Sequence, residues 1–480
     1  MSKPRLWLQL FERQAGQGLG RREQLCASLR AAMRAGELGL DERLPASRVL
    51  AADLGLSRVT VEAAYGQLEA EGYLKRAVGR GSFVAVSLAR APQRKQAPAP
   101  AQGPGLSRRG RRVAEGGGCM DPLRPLPFAA GSPDLRAFPI ALWRQLSNKR
   151  LRAEPGLLGY GDPQGHEGLR AAIADHLNQS RGLRCRAEQV LVLTSSQQAL
   201  QLLAGMLLDE GDTLWMEEPG YRGARTAFAA AGAAVLPVPV DEQGLRPDAA
   251  LPAPRLIYLT PSHQYPCGMA LSLPRRLALL ALARRENAWI VEDDYDSEFH
   301  YEGRPTPALQ GLDEHGRVIY LGTFSKALFP SLRLAYMVLP EALVAPLVTA
   351  RNIHDGHSAQ LAQAVTADFI RQGHLAAHLR LMRQLYRQRR ERLLQACQQH
   401  LAPWLRPQPS AGGLQLAALL PAGEEARWTR AAAALGVLTP SLRALYAGPA
   451  TQDGWLLGYA ALTPDEIIAA VRQLARIRPI

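Results

Sequence analysis

Apolar residues in the first part of the chain recur at helical spacing between clear turn signals. Arg21–Ala35 puts Leu25, Leu29, Ala32 and Met33 on one face and stops at Gly36. A second, shorter helix follows Pro45, with Ser47 as its N-cap, Leu50 and Leu54 facing inward, and Gly55 turning the chain. A third begins at Ser57, a further N-cap, and aligns Val61, Ala64, Tyr65 and Leu68 on one side before Gly72. The next run, YLKRAVGRGSFVAV, reads as a hairpin whose tip is Gly79-Arg80-Gly81. Three helices followed by a two-stranded wing predict a winged helix-turn-helix over residues 18–86.

Residues 87–125 lose this periodicity. They are rich in Pro, Gly, Ala and Arg, which predicts an exposed, extended linker. From 126 to 480 apolar runs alternate with amphipathic helices: VLVLT (190–194), TLWME (213–217), RLIYLT (255–260), WIVED (289–293), VIYLG (318–322) and RLAYMVL (333–339). That alternation predicts an α/β fold with a mainly parallel central sheet. Ligands in such folds sit beyond the carboxyl ends of the strands. The polar clusters fall there: SSQQ after the first strand, EEPGY after the second, PSHQYPCG after the third, Asp293-Asp294-Tyr295 after the fourth and Thr323-Phe324-Ser325-Lys326 after the fifth.

Composition narrows the class. The chain has 480 residues, 47% of them apolar and 21% charged, enough to bury a sizeable core. No apolar run approaches the ~20 residues of a membrane span, and the N-terminus lacks the apolar core and cleavage site of a signal peptide. Five scattered cysteines, with no CxxC pair, predict neither a disulfide framework nor a zinc ribbon. A cytoplasmic chain with no membrane partner and no metal site is expected. The formal charge of +14 is unevenly placed. Residues 1–125 hold 21 Lys and Arg against 11 acids, and the rest hold 36 against 32. A basic first quarter on a nearly neutral body points to an anionic partner, nucleic acid first.

The polar side chains of the winged helix sit where DNA would need them. Ser57, Arg58 and Thr60 begin the third helix, which would offer them to base edges and phosphates. Arg48 lies near the start of the second helix, and Arg80 at the wing tip can reach a minor groove. The segment RLPASRVLAADLGLSRVTVEAAYGQLEAEGYLKRAVGRGSFVA resembles the N-terminal domain of GntR-family repressors along its whole length. The resemblance implies double-stranded operator DNA with two half-sites as a partner.

Only five of the 57 basic residues are lysines, and Lys326 is the only one in the last 331 residues. Arginine supplies charge equally well but cannot act as an amine nucleophile, so a solitary lysine is a candidate for covalent chemistry. A lysine amine can form a Schiff base with pyridoxal 5'-phosphate, a cofactor with three further requirements. An acid must pair with the pyridine nitrogen, and Asp293 is placed for it. A phosphate cradle needs hydroxyls, helix-start amides and an arginine. Ser195, Ser196 and Gln197 open a helix, and Thr323, Ser325 and Arg333 surround the lysine. An aromatic must cover the ring, and Tyr221 is the candidate.

FAAGSPDLRAFP, LLGYGDPQGHEGLR, LTSSQQAL, EEPGYRGAR, TPSHQYPCG, VEDDYDSEF and GTFSKALFPSLRLAYMV resemble the aminotransferase (fold type I) domain of MocR-type regulators, which join it to a GntR-type winged helix. The resemblance implies an aminotransferase-like domain over 126–480 with a smaller C-terminal subdomain. It implies Lys326 as the Schiff-base lysine, Asp293 on the pyridine nitrogen, Arg333 on the phosphate, Tyr221 stacking and Tyr295 near the phenolic oxygen. Tyr160 matches a tyrosine that reaches the phosphate from a partner subunit, in a homodimer whose winged helices are exchanged.

Two positions depart from aminotransferases. Tyr265 of the Tyr265-Pro266-Cys267-Gly268 turn stands where they carry an asparagine to the phenolic oxygen. Leu456 in WLLGYAAL aligns with the arginine that clamps the substrate carboxylate, and Arg443 upstream is the alternative clamp. Together these predict a transcription regulator that senses pyridoxal phosphate and controls vitamin B6 genes, as PdxR-type members do. The alternatives are a regulator of the GabR kind sensing an amino acid or amine through the cofactor, and an aminotransferase with an accessory DNA-binding domain.

Overall fold

The computed structural model describes residues 3–14, 18–77, 80–86, 105–117, 127–302, 306–408 and 410–477. Gly79 of the expected wing tip, Cys119 and much of the expected linker lie outside the described residues. The chain divides into two compact units, Met1–Gly105 and Leu106–Ile480.

The first unit orders α1 (Lys3–Glu12), α2 (Arg21–Ala35), α3 (Ser47–Leu54), α4 (Arg58–Ala70), β1 (Leu74–Ala77) and β2 (Gly81–Val84). The two strands are antiparallel, with Leu74 opposite Val84 and Ala77 opposite Gly81. Every apolar position expected to face inward is buried, from Leu25 on α2 to Leu68 on α4. The core also takes Trp7, Leu10 and Phe11 from α1, so it reaches further toward the N-terminus than residue 18. Ser57 is the N-cap of α4 as expected, its Oγ accepting from the Thr60 amide at 3.1 Å. Ser47 is not a cap. Ala46 holds the cap position of α3, with no side-chain cap, and Ser47 is the first helical residue. A tertiary bond fixes the entry instead: the Tyr65 hydroxyl donates to the Pro45 carbonyl at 2.9 Å.

The second unit opens with a departure from the expected linker. Arg108–Gly116 forms a helix, α5, started by Ser107 accepting from the Gly110 amide at 3.0 Å. It packs on α9 (Arg222–Ala231). A Cβ on Gly116 would stand 2.8 Å from Thr226 Cγ2, and Arg112 pairs with Glu210 at 2.6 Å. None of its residues is buried. A helix held by a glycine contact and an ion pair shows no apolar stripe for periodicity to find.

The large sheet is built from β3 (Val190–Leu193), β4 (Thr213–Glu218), β5 (Ala234–Asp241), β6 (Gly244–Leu245), β7 (Leu256–Leu259), β8 (Trp289–Asp294), β9 (Val318–Thr323) and β10 (Ala335–Val338). Their order is β3-β10-β9-β8-β7-β4-β5-β6. Strands β9, β8, β7, β4 and β5 run parallel, while β10 is antiparallel to both its neighbours. Alternate residues enter different cores: Leu191 and Leu193 pack with α8 (Ser196–Leu207), and Val190 and Val192 pack with α7 (Glu167–Arg181). Burial on both faces explains the continuous apolar runs. Strand β5, whose outer side is paired only at Val240 and Asp241 by the short β6, carries two prolines, Pro237 and Pro239, ahead of that pairing, and was not among the expected strands.

The remainder is the smaller subdomain. The long helix α14 (His374–His400) packs against α16 (Pro464–Leu474), beside a three-stranded antiparallel sheet of β11 (Arg406–Pro407), β12 (Gln415–Leu419) and β13 (Gly454–Gly458).

Candidate functional site

The strand ends converge on a short helical turn. Phe324–Ala327 follows β9 directly, with Thr323 at its N-cap accepting from the Ser325 amide at 3.2 Å. Lys326 on this turn is half-buried. Gly131 makes room for its amine: a Cβ there would stand 2.9 Å from Nζ, and the backbone has φ +69°. The Phe324 amide donates to the Leu334 carbonyl at 3.0 Å, which lays Arg333's segment beside the turn. Arg333 itself is a non-glycine residue at φ +52°, a conformation that side chains rarely adopt. Its side chain is exposed.

Asp293 is the penultimate residue of β8, opposite Leu321 on β9. Its carboxylate is buried and accepts from the Tyr258 hydroxyl at 2.6 Å. Burial raises its pKa to about 7, with Asp294 and Asp296 adding to the rise; the Tyr258 bond and the charge of Lys326 oppose it. A second buried acid, Glu217 on β4, accepts from the Thr260 amide and hydroxyl at 3.0 and 2.7 Å and is likewise raised by burial to about 7.

Ser195 caps α8, its Oγ accepting from the Gln198 amide at 3.2 Å, and Ser196 is the first residue of that helix. Gln197 Nε2 donates to the Tyr221 hydroxyl at 3.2 Å. Tyr221, at the start of α9, stands edge-on to Tyr265 with centroids 5.6 Å apart, and Tyr265 stands edge-on to Tyr295 at 5.9 Å. The expected residues Gln197, Tyr221 and Tyr295 are therefore linked through contacts with one another and with Tyr265. Tyr160 is not part of that assembly. It is fully exposed, with its ring 6.0 Å from that of His357.

One wall comes from the small sheet. Gln415 pairs with Gly458 and Ala417 with Leu456, which puts Gln415 and Leu456 on one face. The Oε1 of Gln415 is buried without a hydrogen-bond partner and lies 3.6 Å from the Cβ position at Gly131. Leu456 is fully buried. Arg443, the alternative clamp, is engaged elsewhere: it donates to Asp453 at 2.7 Å and is half exposed. Gln415 and Tyr258 escaped the sequence reading, which held Glu217 and Gly131 only as members of EEPGY and FAAGSPDLRAFP, without a role of their own. A polar residue inside an otherwise apolar strand was the available signal for Gln415.

On the winged helix, Arg48, Arg58 and Arg80 are all exposed. Ser57 and Thr60 share a 2.7 Å hydroxyl–hydroxyl bond at the start of α4. Val59, between them, is 78% exposed, an apolar side chain offered to solvent where a recognition helix meets base edges. Arg43 was also missed: its guanidinium lies against Gly81 of the wing, 3.1 Å from that glycine's Cβ position.

No helix among the described residues is long and apolar enough to cross a membrane. Residues 21–84 match the family described as bacterial regulatory proteins, gntR family, and residues 126–474 match aminotransferase class I and II. The chain is 43% identical to the probable rhizopine catabolism regulatory protein MocR of Rhizobium meliloti, over 94% of this chain and 92% of that protein. It is 32% identical to the pyridoxine biosynthesis regulator PdxR of Corynebacterium glutamicum, over 92% and 93%. Among solved structures, α-aminoadipate aminotransferase LysN of Thermus thermophilus, complexed with N-(5'-phosphopyridoxyl)-L-leucine, superposes with a TM-score of 0.68 at 32% identity, covering 77% of this chain and 94% of that one. The chain belongs to the MocR-type transcription regulators, which join a DNA-binding GntR-family domain to an aminotransferase class I and II domain of fold type I.

Proposed function

We propose that this regulator holds pyridoxal 5'-phosphate at Lys326 and responds to that cofactor itself, controlling genes of vitamin B6 metabolism. The residues fit the group. Gly131 leaves space at the Lys326 amine, Gln415 presents an unpartnered acceptor beside it, and Asp293 is a buried acid awaiting a positive partner. Bound there, the cofactor supplies an aldehyde for the amine and an electron-withdrawing ring. Asp293 would hold the proton on the ring nitrogen, and that cation would in turn restore Asp293's charge. Ser195, Ser196, Gln197, Thr323, Ser325 and Arg333 would bind the phosphate, and Tyr221 would cover the ring. The full exposure of Tyr160 and the exposure of Arg333 fit a homodimer in which a second copy completes the phosphate site.

The carrying observation is the wall: an apolar Leu456 stands where an arginine would receive a carboxylate, beside an otherwise furnished cofactor site. A ligand can shift an equilibrium only by binding its two states differently. Cofactor-free and loaded protein should therefore differ at least tenfold in operator affinity, ~1.4 kcal/mol, or differ in the bend they impose, with no amino acid present. Binding should fall steeply with salt as phosphate contacts release counterions. Identical binding by the two forms would sink this reading.

A second reading has its own support. The 43% identical relative is named for a catabolic pathway, so an amino acid or amine acting through the cofactor is the competing effector. It predicts that adding such a compound to loaded protein, and not loading itself, changes operator binding. Sustained turnover of amino and keto acids would instead favour an aminotransferase with an accessory DNA-binding domain.

A further inference from the structure

Behind Tyr295 lies a buried chain of polar groups that the cofactor reading leaves without a task. His263 Nδ1 is 3.0 Å from one oxygen of Asp296, 3.1 Å from the other, and 3.0 Å from the Tyr295 hydroxyl. Its Nε2 is 2.9 Å from Ser410 Oγ. Asp296 is 1% exposed and His263 is 8% exposed. Two glycines at positive φ hold the ring. A Cβ on Gly413 would stand 2.3 Å from His263 Cε1, and one on Gly268 would stand 3.1 Å from Nε2. The packing admits the imidazole in one orientation.

A serine, a histidine and an aspartate in sequence suggest a nucleophile, and the hydrogen-bond directions exclude it. Ser410 has one hydroxyl proton, donated to the Gly412 carbonyl at 2.8 Å. Its oxygen can then only accept from His263, so Nε2 carries a proton and cannot take one. The cavity alongside, lined by Arg181, Asp296, Gly412 and Gly413, measures about 60 Å³.

The same directions fix the charge of the ring. Nδ1 faces a carboxylate, which only accepts, so Nδ1 carries a proton as well. The geometry points to His263 as a positioning residue: Asp296 and Ser410 hold it as an imidazolium, whose one Nδ1–H, shared between Asp296 and the Tyr295 oxygen, keeps that oxygen an acceptor and leaves the Tyr295 proton for the cofactor's phenolic oxygen. The assignment of the Tyr295 proton rests on the cofactor reading above.

The electrostatics agree. Burial alone would push the His263 pKa down, but Asp296 in contact and Asp294 beyond it reverse that and hold it above the usual histidine value. The other groups facing it are Tyr295, His300, whose own pKa is lowered mainly by burial and partly by His263, and Arg181, which is committed to Asp294 at 3.0 Å.

Two measurements test the assignment. In cofactor-free protein labelled with ¹⁵N-histidine, the His263 signal, identified through its loss in His263→Gln, should show both ring nitrogens protonated at pH 8. Asp296→Asn should abolish that state. A neutral His263 at pH 8 would overturn the inference whatever the cofactor does. In loaded protein, the pH midpoint of the bound cofactor's near-visible band should rise by about one unit in His263→Gln, because charge and donor that favour the deprotonated form are lost together. Ser410→Ala, a milder change less prone to misfolding, should raise it by less. In a Tyr295→Phe background each change should raise it by clearly less, only the through-space charge effect being left, a non-additivity that general destabilisation would not produce. An unchanged midpoint with the band retained, or an equal rise without Tyr295, overturns the positioning role. Absence of the band from wild-type protein would refute the Lys326 reading, while the ¹⁵N result would still decide the state of His263.

Discussion

The strand-end floor of the site and its small-sheet wall differ in what they keep. The floor has a buried acid on β8, a lysine on the turn after β9, and hydroxyls and amides at the start of α8, the groups that the proposed cofactor would use. The wall, on β12 and β13, has a fully buried leucine and an unpartnered carboxamide oxygen and, on the proposed reading, no guanidinium for a substrate carboxylate. On the proposed reading, one molecule combines a furnished cofactor floor with an unfurnished substrate wall. A domain can keep the chemistry that holds a cofactor and lose the charge that holds its co-substrate, because separate elements supply the two.

The comparison breaks most readily at Lys326. Lys326→Ala should abolish borohydride-fixable cofactor entirely, read by mass spectrometry, with the fold intact by circular dichroism; fixation elsewhere would empty the floor of its meaning. The next effect is at Asp293 in the cofactor-free protein. Its folded pKa of about 7 exceeds the unfolded value of about 3.9, so between these values the folded state holds a proton that the unfolded state has released. Stability should therefore fall as pH rises from about 4 to about 7, and Asp293→Asn should remove on the order of 2–3 kcal/mol of that fall. Urea titrations at pH 5 and 7.5 would show it, and equal slopes in both proteins would contradict the buried-acid assignment.

A smaller change sharpens the wall. Leu456→Arg should tighten amino-acid binding about tenfold, the ~1.4 kcal/mol of a charge-assisted pair net of crowding in a packed site. Amino-acid titration of the cofactor band reads it, and no gain would place the carboxylate position elsewhere. The smallest effect belongs to Gln415→Leu. Removing an unpartnered buried acceptor should stabilise the cofactor-free protein by about 1 kcal/mol and weaken cofactor binding; destabilisation would mean that the carboxamide is already satisfied.

Local pattern made much of this molecule legible. Helical spacing located α2 and α4, and the inward faces of these helices and α3 are the ones buried; alternating apolar runs located six strands of the large sheet. The strand-end motifs singled out Asp293, Tyr295 and Lys326, and the structure places them at or just beyond the carboxyl ends of β8 and β9. The misses share a cause. Ser47 failed as a cap because a tyrosine eighteen residues later fixes the entry to α3. The helix α5 buries nothing, so its docking left no apolar trace. Gly131 and Gln415 meet Lys326 across long stretches of chain, and His263 meets Ser410 147 positions away. Hydrophobic periodicity reports which face of an element is buried; it does not report which two elements touch.

The position of the solitary lysine beside Gly131 also reaches into peptide chemistry. A protease that cuts after lysine meets no cleavage point beyond Lys149 except Lys326. In unmodified, denatured protein it would release 150–326 and 327–480 as separate fragments. Once the amine is locked to a reduced cofactor, that bond resists the enzyme and 150–480 stays in one piece. Occupancy of the site is thereby written into the lengths of two fragments, and the ratio of cut to uncut chain on a gel counts, molecule by molecule, how many lysines carried the group.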